Sequence, residues 1–158
     1  MAHGEHKYEV SVQWTGNRGT GTSGYRDYGR DHTISAPNKP AIPGSSDPAF
    51  LGDAARWNPE DLLVAAVSAC HKLWYLHLCS DAGIAVTAYL DHAQGTMSDT
   101  ASPGRFTQIV LRPHVTIRAG DDRELAIRLH HAAHEKCYIA NSVNFPILCE
   151  PTVEAAAS

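Results

Sequence analysis

Polar and apolar residues alternate along KYEVSVQW (7–14), and its aromatic and β-branched content predicts a half-buried strand. The pattern then loosens. Residues 15–35 are rich in Gly, Thr and Tyr, which predicts turns and short further strands, so that a β-meander spans 7–35. Four prolines and several small polar residues in APNKPAIPGSSDPAFLGD predict a long ordered loop over 36–57. At 58 the character changes again, because NPEDLLVAAVSACHKLWYLHLC (58–79) is almost continuously apolar. Asn58 suits an N-cap, Pro59 the first helical position, and Glu60 with Asp61 the positive end of a helix dipole. With Gly83 as a stop signal, a central helix is predicted over 59–82.

That helix is apolar nearly all round and must be enclosed on every side. Strands from a single chain of 158 residues can hardly do so, which predicts an intimate dimer. Stretches 85–97 and 106–117 read as two strands of a hairpin over 85–117, with Pro113 at an edge or bulge. A second helix is expected over 121–138, capped by Asp and presenting Leu125, Leu129 and Ala133 on one face. A short strand over 146–154 completes one α+β domain covering 1–158.

Charge and composition narrow the function. With 13 basic and 17 acidic residues the net charge is −4, and no basic run exists to follow a phosphate backbone, so nucleic acid is not an expected partner. Glu60, Asp61, His71, Lys72 and His77 interrupt the apolar stretch, which favours a buried helix over a membrane span. The segment MAHGEHKYEV lacks the basic and apolar parts of an export signal, which predicts a cytoplasmic location. There, Cys70, Cys79, Cys137 and Cys149 are expected to be free, metal-bound or redox-active rather than a fixed disulfide framework.

Cys70 sits amid the apolar stretch as either core filler or nucleophile. Cys79, nine residues on, lies about 180° around the same helix and cannot share its face. A nucleophilic Cys70 must be a thiolate, and it lies too far from the helix N-terminus for the dipole to help much. His71 and Lys72 do not face it, so a guanidinium from the meander or the loop is needed. Glu60 is about 15 Å away along the axis, so it can approach Cys70 only between antiparallel helices of two chains, where it could hold an arginine in a bidentate clamp. The alternative reading of Glu60 is a favourable first-turn charge and nothing more. Cys137, near the end of the second helix, could condense with an oxidised Cys70 if the fold brings them together.

NPEDLLVAAVSACH (58–71) and HEKCYIANSVNFPI (134–147), with the order of elements, resemble the osmotically inducible protein C and organic hydroperoxide resistance family, OsmC/Ohr. The resemblance implies an intertwined α+β homodimer with antiparallel sheets wrapped around two long central helices. It implies a thiol peroxidase free of metal and of any other cofactor, with Cys70 peroxidatic, Cys137 resolving and Glu60 partnering an activating arginine. An organic hydroperoxide is the implied substrate, and an external dithiol the implied reductant. Leu51 stands near where some relatives carry the arginine. Arg56 is the first choice here, Arg26 the second, and Arg18 and Arg30 are also available. Trp74, Tyr75, Tyr138 and Phe145 are either walls of an apolar pocket or core.

Two rivals stand beside this reading. His130, His134 and Cys137 have the spacing of zinc ligands on one helical face, although the acidic residue of the HExxH arrangement is missing. The same scaffold could also be a non-catalytic dimeric module holding a small hydrophobic ligand. His71, His77 and His131 are read as core or surface residues, and Cys79 and Cys149 as structural.

Overall fold

The computed structural model describes residues 4–158; residues 1–3, part of the N-terminal segment read above for an export signal, lie outside the described residues. The chain separates into two compact units, 1–62 and 63–158.

In the first unit, β1 (Ser11–Trp14), β2 (His32–Ser35) and β3 (Ile42–Gly44) form an antiparallel sheet in the order β1-β2-β3. Val12 pairs with Ile34, which in turn pairs with Ile42. Every residue of β1 is exposed, so neither of its faces is covered within the chain. The expected meander therefore has two strands, and its third comes from the proline-rich loop. Between β1 and β2 the backbone folds tightly: Gly29 N donates to Gly16 O (2.8 Å) and Trp14 Nε1 to Gly29 O (2.8 Å). A Cβ on Gly16 would meet Gly29 O at 2.0 Å, so this approach requires glycine. Arg30 donates to Tyr25 O and Tyr28 O and lies over both rings, which closes the turn.

The loop after β3 is fixed by its own polar groups. Asp47 accepts from Ala49 N (2.7 Å) to cap a short 3-10 turn, and buried Ser45 accepts from Asp53 N (3.1 Å). Arg56 donates to Gly44 O (2.9 Å) and His32 O (3.0 Å) and pairs with Asp31 (3.7 Å), tying the loop's end back to the sheet.

Helix α1 (Pro59–Asp81) starts where its sequence signals place it, with Asn58 Oδ1 accepting from Asp61 N (2.8 Å). At its end Ile84 N donates to Cys79 O and Gly83 N to Ser80 O, a Schellman closure with Gly83 at φ +75°. Its buried residues form a stripe at every fourth position: Val67, His71, Tyr75 and Cys79. Elsewhere the helix is half-covered or open, and Leu73 is 62% exposed.

In the second unit, the expected hairpin is four strands in two sheets. The first half breaks after Asp91, giving β4 (Val86–Asp91) and β5 (Gln94–Ser98), and the second breaks at Arg112, giving β6 (Arg105–Leu111) and β7 (Pro113–Ile117). Pro113 has no N–H to continue a ladder. Asp91 secures the break, its carboxylate accepting from Arg112 N (2.7 Å) and from Ser68 Oγ (2.5 Å). The C-terminal strand is likewise two, β8 (Ile147–Cys149) and β9 (Thr152–Ala155). The sheets run β4-β7-β9 and β5-β6-β8, and because β8 and β9 pair parallel to their neighbours both are mixed rather than antiparallel.

Helix α2 (Arg123–Lys136) is capped by Asp122, which accepts from Leu125 N (3.0 Å). Its buried face is Ala126, His130 and Ala133, turned from the expected stripe; Leu125 and Leu129 sit half-buried at its margin. This face meets the α1 stripe, where Tyr75 donates its hydroxyl to Ala126 O (2.9 Å) and its ring stacks on His130 (3.8 Å). One apolar cluster joins these helices to Val115, Ile117 and Val153, and a second gathers Val67, Ile109, Leu111 and Ile147.

Candidate functional site

Cys70 and Cys137 come together although 67 positions separate them in the sequence. Cys70 is half-buried on α1, and Cys137 is the buried C-cap of α2, with 1% of its surface exposed. The two side chains are close enough for Cys70 to act on the Cys137 thiol, and both are free cysteines. Cys137 Sγ accepts from Ala140 N (3.4 Å), in the 3-10 turn that follows α2. Burial, reinforced by the nearby Cys70, pushes the Cys137 thiol up to about 11, with the Ala140 N–H opposing that rise. At neutral pH Cys137 is therefore a protonated thiol with the Ala140 N–H donated to the sulfur where negative charge would appear on ionisation.

Trp74, one turn after Cys70 on α1, packs edge-on against Tyr138, which is 69% exposed (5.6 Å between centroids). Lys136 Nζ lies over the Trp74 ring (5.6 Å). Along the chain these aromatics stand four residues after Cys70 and one after Cys137. Tyr75 and Phe145 do not serve as pocket walls: Tyr75 is fully buried in the helix interface, and Phe145 stacks on Phe106 (5.4 Å) in the second apolar cluster. Cys79 is buried beside Tyr75, and burial raises its thiol.

The arginines and Glu60 belong to the first unit. Arg56 has its Nε and one Nη on backbone carbonyls, and Arg30 is held by its own turn. Arg18 donates to Arg26 O (3.2 Å), whereas the exposed Arg26 guanidinium makes no hydrogen bond or ion pair among the described residues. Glu60 is half-buried, and no cation lies within ion-pair distance of it among the described residues.

A second constellation lies one residue along α1. His71 Nε2 is 3.0 Å from His130 Nδ1 and 3.9 Å from Cys149 Sγ, and both histidines are buried. Their rings are parallel, and Tyr75 stacks beneath His130. Desolvation pushes His71 down to about 4 and His130 down to about 3, so both imidazoles are neutral at ordinary pH. Cys149 is pushed up to about 12 by burial, with Asp91 and Glu150 adding to it. Among the described residues, this set and not His130/His134/Cys137 is the one with ligand-type atoms mutually close. His134 instead lines a neighbouring cavity with His131. Cys149 thus faces a polar partner rather than serving as plain filler, and His71 is core while His77 and His131 are exposed. Sequence reasoning missed the grouping because 78 positions separate His71 from Cys149 and no local spacing links them.

An OsmC-like protein family model matches residues 52–151, most of the chain and all of both cysteine regions, and the chain belongs to that family. Among solved structures it is similar to an OsmC-like protein of unknown function from Vibrio cholerae, at 29% identity and a TM-score of 0.84, covering 94% of this chain and 100% of that one. It shares its fold with an organic hydroperoxide resistance protein OsmC from Legionella pneumophila, at 18% identity and TM-score 0.64, covering 94% and 98% of the two chains. The same holds for the organic hydroperoxide resistance protein OhrB of Bacillus subtilis, at 21% identity and TM-score 0.61, again covering 94% and 98%. No curated protein matches the chain.

Proposed function

We propose that this protein is a thiol-dependent hydroperoxide reductase in which Cys70 is the peroxidatic and Cys137 the resolving cysteine. The observation that carries the reading is the proximity of these two cysteines, one on α1 and the other at the C-cap of α2, close enough that each thiol bears on the other. Cys70 thiolate attacks the terminal oxygen of an organic hydroperoxide; the O–O bond breaks, the alkoxide takes a proton and leaves as an alcohol, and the sulfur becomes a sulfenic acid. Cys137 then loses its proton and attacks that sulfur, forming the S–S bond and releasing water. An external dithiol returns both cysteines to thiols and is itself oxidised to a disulfide. No cofactor takes part, and the need for a reductant fits a cytoplasmic setting.

Activation of Cys70 falls to an arginine held by Glu60. Arg56 and Arg26 are the alternatives: the carbonyl bonds of Arg56 favour a bracing role for it, and the unengaged guanidinium of Arg26 leaves it free to serve the thiolate. The reacting unit is a homodimer. α1 is apolar yet buries a single stripe within the chain, and a second copy supplies a matching apolar helix to cover the rest. Trp74 and Tyr138 form the apolar approach that suits alkyl rather than small hydrated peroxides.

The test is turnover of cumene hydroperoxide with dithiothreitol. Cys70→Ser abolishes consumption. With dithiothreitol left out, Cys137→Ser reacts once and accumulates a sulfenic acid that dimedone traps. Arg26→Ala lowers the second-order rate constant of the first step more than Arg56→Ala does. A wild-type chain that consumes no peroxide would sink the reading and favour a binding role for the scaffold.

A further inference from the structure

The geometry points to a transition-metal site, suited to Zn²⁺, built from His71, His130 and Cys149. It is separate from the Cys70–Cys137 chemistry and stands or falls without it.

Two imidazoles and a thiol are a borderline-soft donor set that zinc takes readily. Tetrahedral bonds of the usual zinc lengths separate two nitrogens by about 3.4 Å and a nitrogen from a sulfur by about 3.6 Å. The measured separations are 3.0 Å between His71 Nε2 and His130 Nδ1 and 3.9 Å between His71 Nε2 and Cys149 Sγ, and all three ligand atoms lie within 4.8 Å of one another. The two His71 separations depart from those values by about 0.3–0.4 Å, and the His130–Cys149 pair, held within 4.8 Å, must close by at most about 1.2 Å.

The surroundings favour a cation. Asp91, held by Ser68 and Arg112 N, is close enough to act electrostatically on both His71 and Cys149. Tyr75 and the parallel rings fix the imidazole orientations in advance. His130 Nε2 is buried without a partner among the described residues, which leaves one polar atom unsatisfied beside the cluster. A cavity of about 310 Å³ opens beside it, lined by His130, Cys149, His131 and His134. It provides an entry path and room for water as a fourth ligand and as a partner for His130. Binding replaces the thiol proton of Cys149 by the ion, so one proton leaves per Zn²⁺ bound, with no change of oxidation state.

The experiment uses untagged, reduced, chelator-treated full-length protein, titrated with Zn²⁺ and separately with Co²⁺ as a spectroscopic probe. The expected result is one ion per chain and a near-ultraviolet thiolate-to-cobalt charge-transfer band. The Cys70→Ser/Cys137→Ser double variant and His134→Ala keep both. Cys149→Ser abolishes the band and weakens Zn²⁺ by more than the roughly 100-fold that loss of an outer-shell partner can cost. Wild-type protein that binds no Zn²⁺, or a cobalt–thiolate band that survives Cys149→Ser, overturns the site; the wild-type spectrum decides even if a variant fails to fold.

Discussion

Cys137 holds its proton for the same reason it is well placed to resolve a sulfenic acid: it is buried against the thiol it must attack. With the thiol raised to about 11, the thiolate fraction at pH 7 is on the order of one in ten thousand. Iodoacetamide at pH 7 is therefore expected to label Cys70 long before Cys137, with Cys137 labelling climbing as pH rises toward that value; equal rates in a peptide-mapping time course would contradict the burial. Arg56 makes a different residue-level prediction. Arg56→Ala leaves the Gly44 and His32 carbonyls without their donor and is expected to cost about 1–3 kcal/mol in urea unfolding, whereas exposed Arg26→Ala changes stability by no more than about 0.5 kcal/mol. Cys70 and Cys137 were named from the sequence because two local motifs carry them. The grouping of Cys149 with His71 and His130 is not legible there, because it depends on β6–β8 pairing and the packing of α1 on α2, neither of which leaves a mark within a short window.

Helix ends were the elements most legible in the sequence. Asn58, Gly83 and Asp122 act through bonds to residues a few positions away, so their chemistry is written locally. The strands were less so. Residues 85–97 alternate through the Asp91 break without interruption, and what divides them is a carboxylate that reaches across to Arg112 N. Asp91→Ala should accordingly cost about 1–3 kcal/mol through the unpaired N–H and Ser68 hydroxyl. Asp121 ties the start of β4 to the turn before α2, accepting from Ala85 N (2.8 Å) and from Arg118. These two partners, the backbone N–H first, hold its carboxyl below the usual range. A depressed carboxyl contributes stability above its unfolded value of 3.8, and that contribution disappears as pH falls through the lower folded value. Asp121→Asn should flatten the acid limb of a stability–pH curve below about pH 4 and leave its shape at pH 7 to 9 unchanged.

At the scale of the whole molecule, the exposure left on α1 and β1 sets the expectation. A 23-residue apolar helix buried along one stripe, and a strand open on both faces, leave Leu73, Val12 and Trp14 exposed, the kind of apolar surface a second chain would cover. Sedimentation equilibrium should give twice the 17.1 kDa chain mass, and Leu73→Lys, on the open face of α1, should shift it toward the monomer. A wild-type monomer at micromolar concentration would remove the dimer from the account. The α+β class was legible because helix and strand periodicities differ; the parallel pairing of β8 and β9 was not, since two three- to four-residue strands take their direction from long-range partners. The central claim is covalent. Reduced protein given one equivalent of cumene hydroperoxide and digested under non-reducing conditions should yield, by mass spectrometry, a peptide pair joined through Cys70 and Cys137. Recovery of both cysteines as free thiols, with the peroxide unspent, would contradict it.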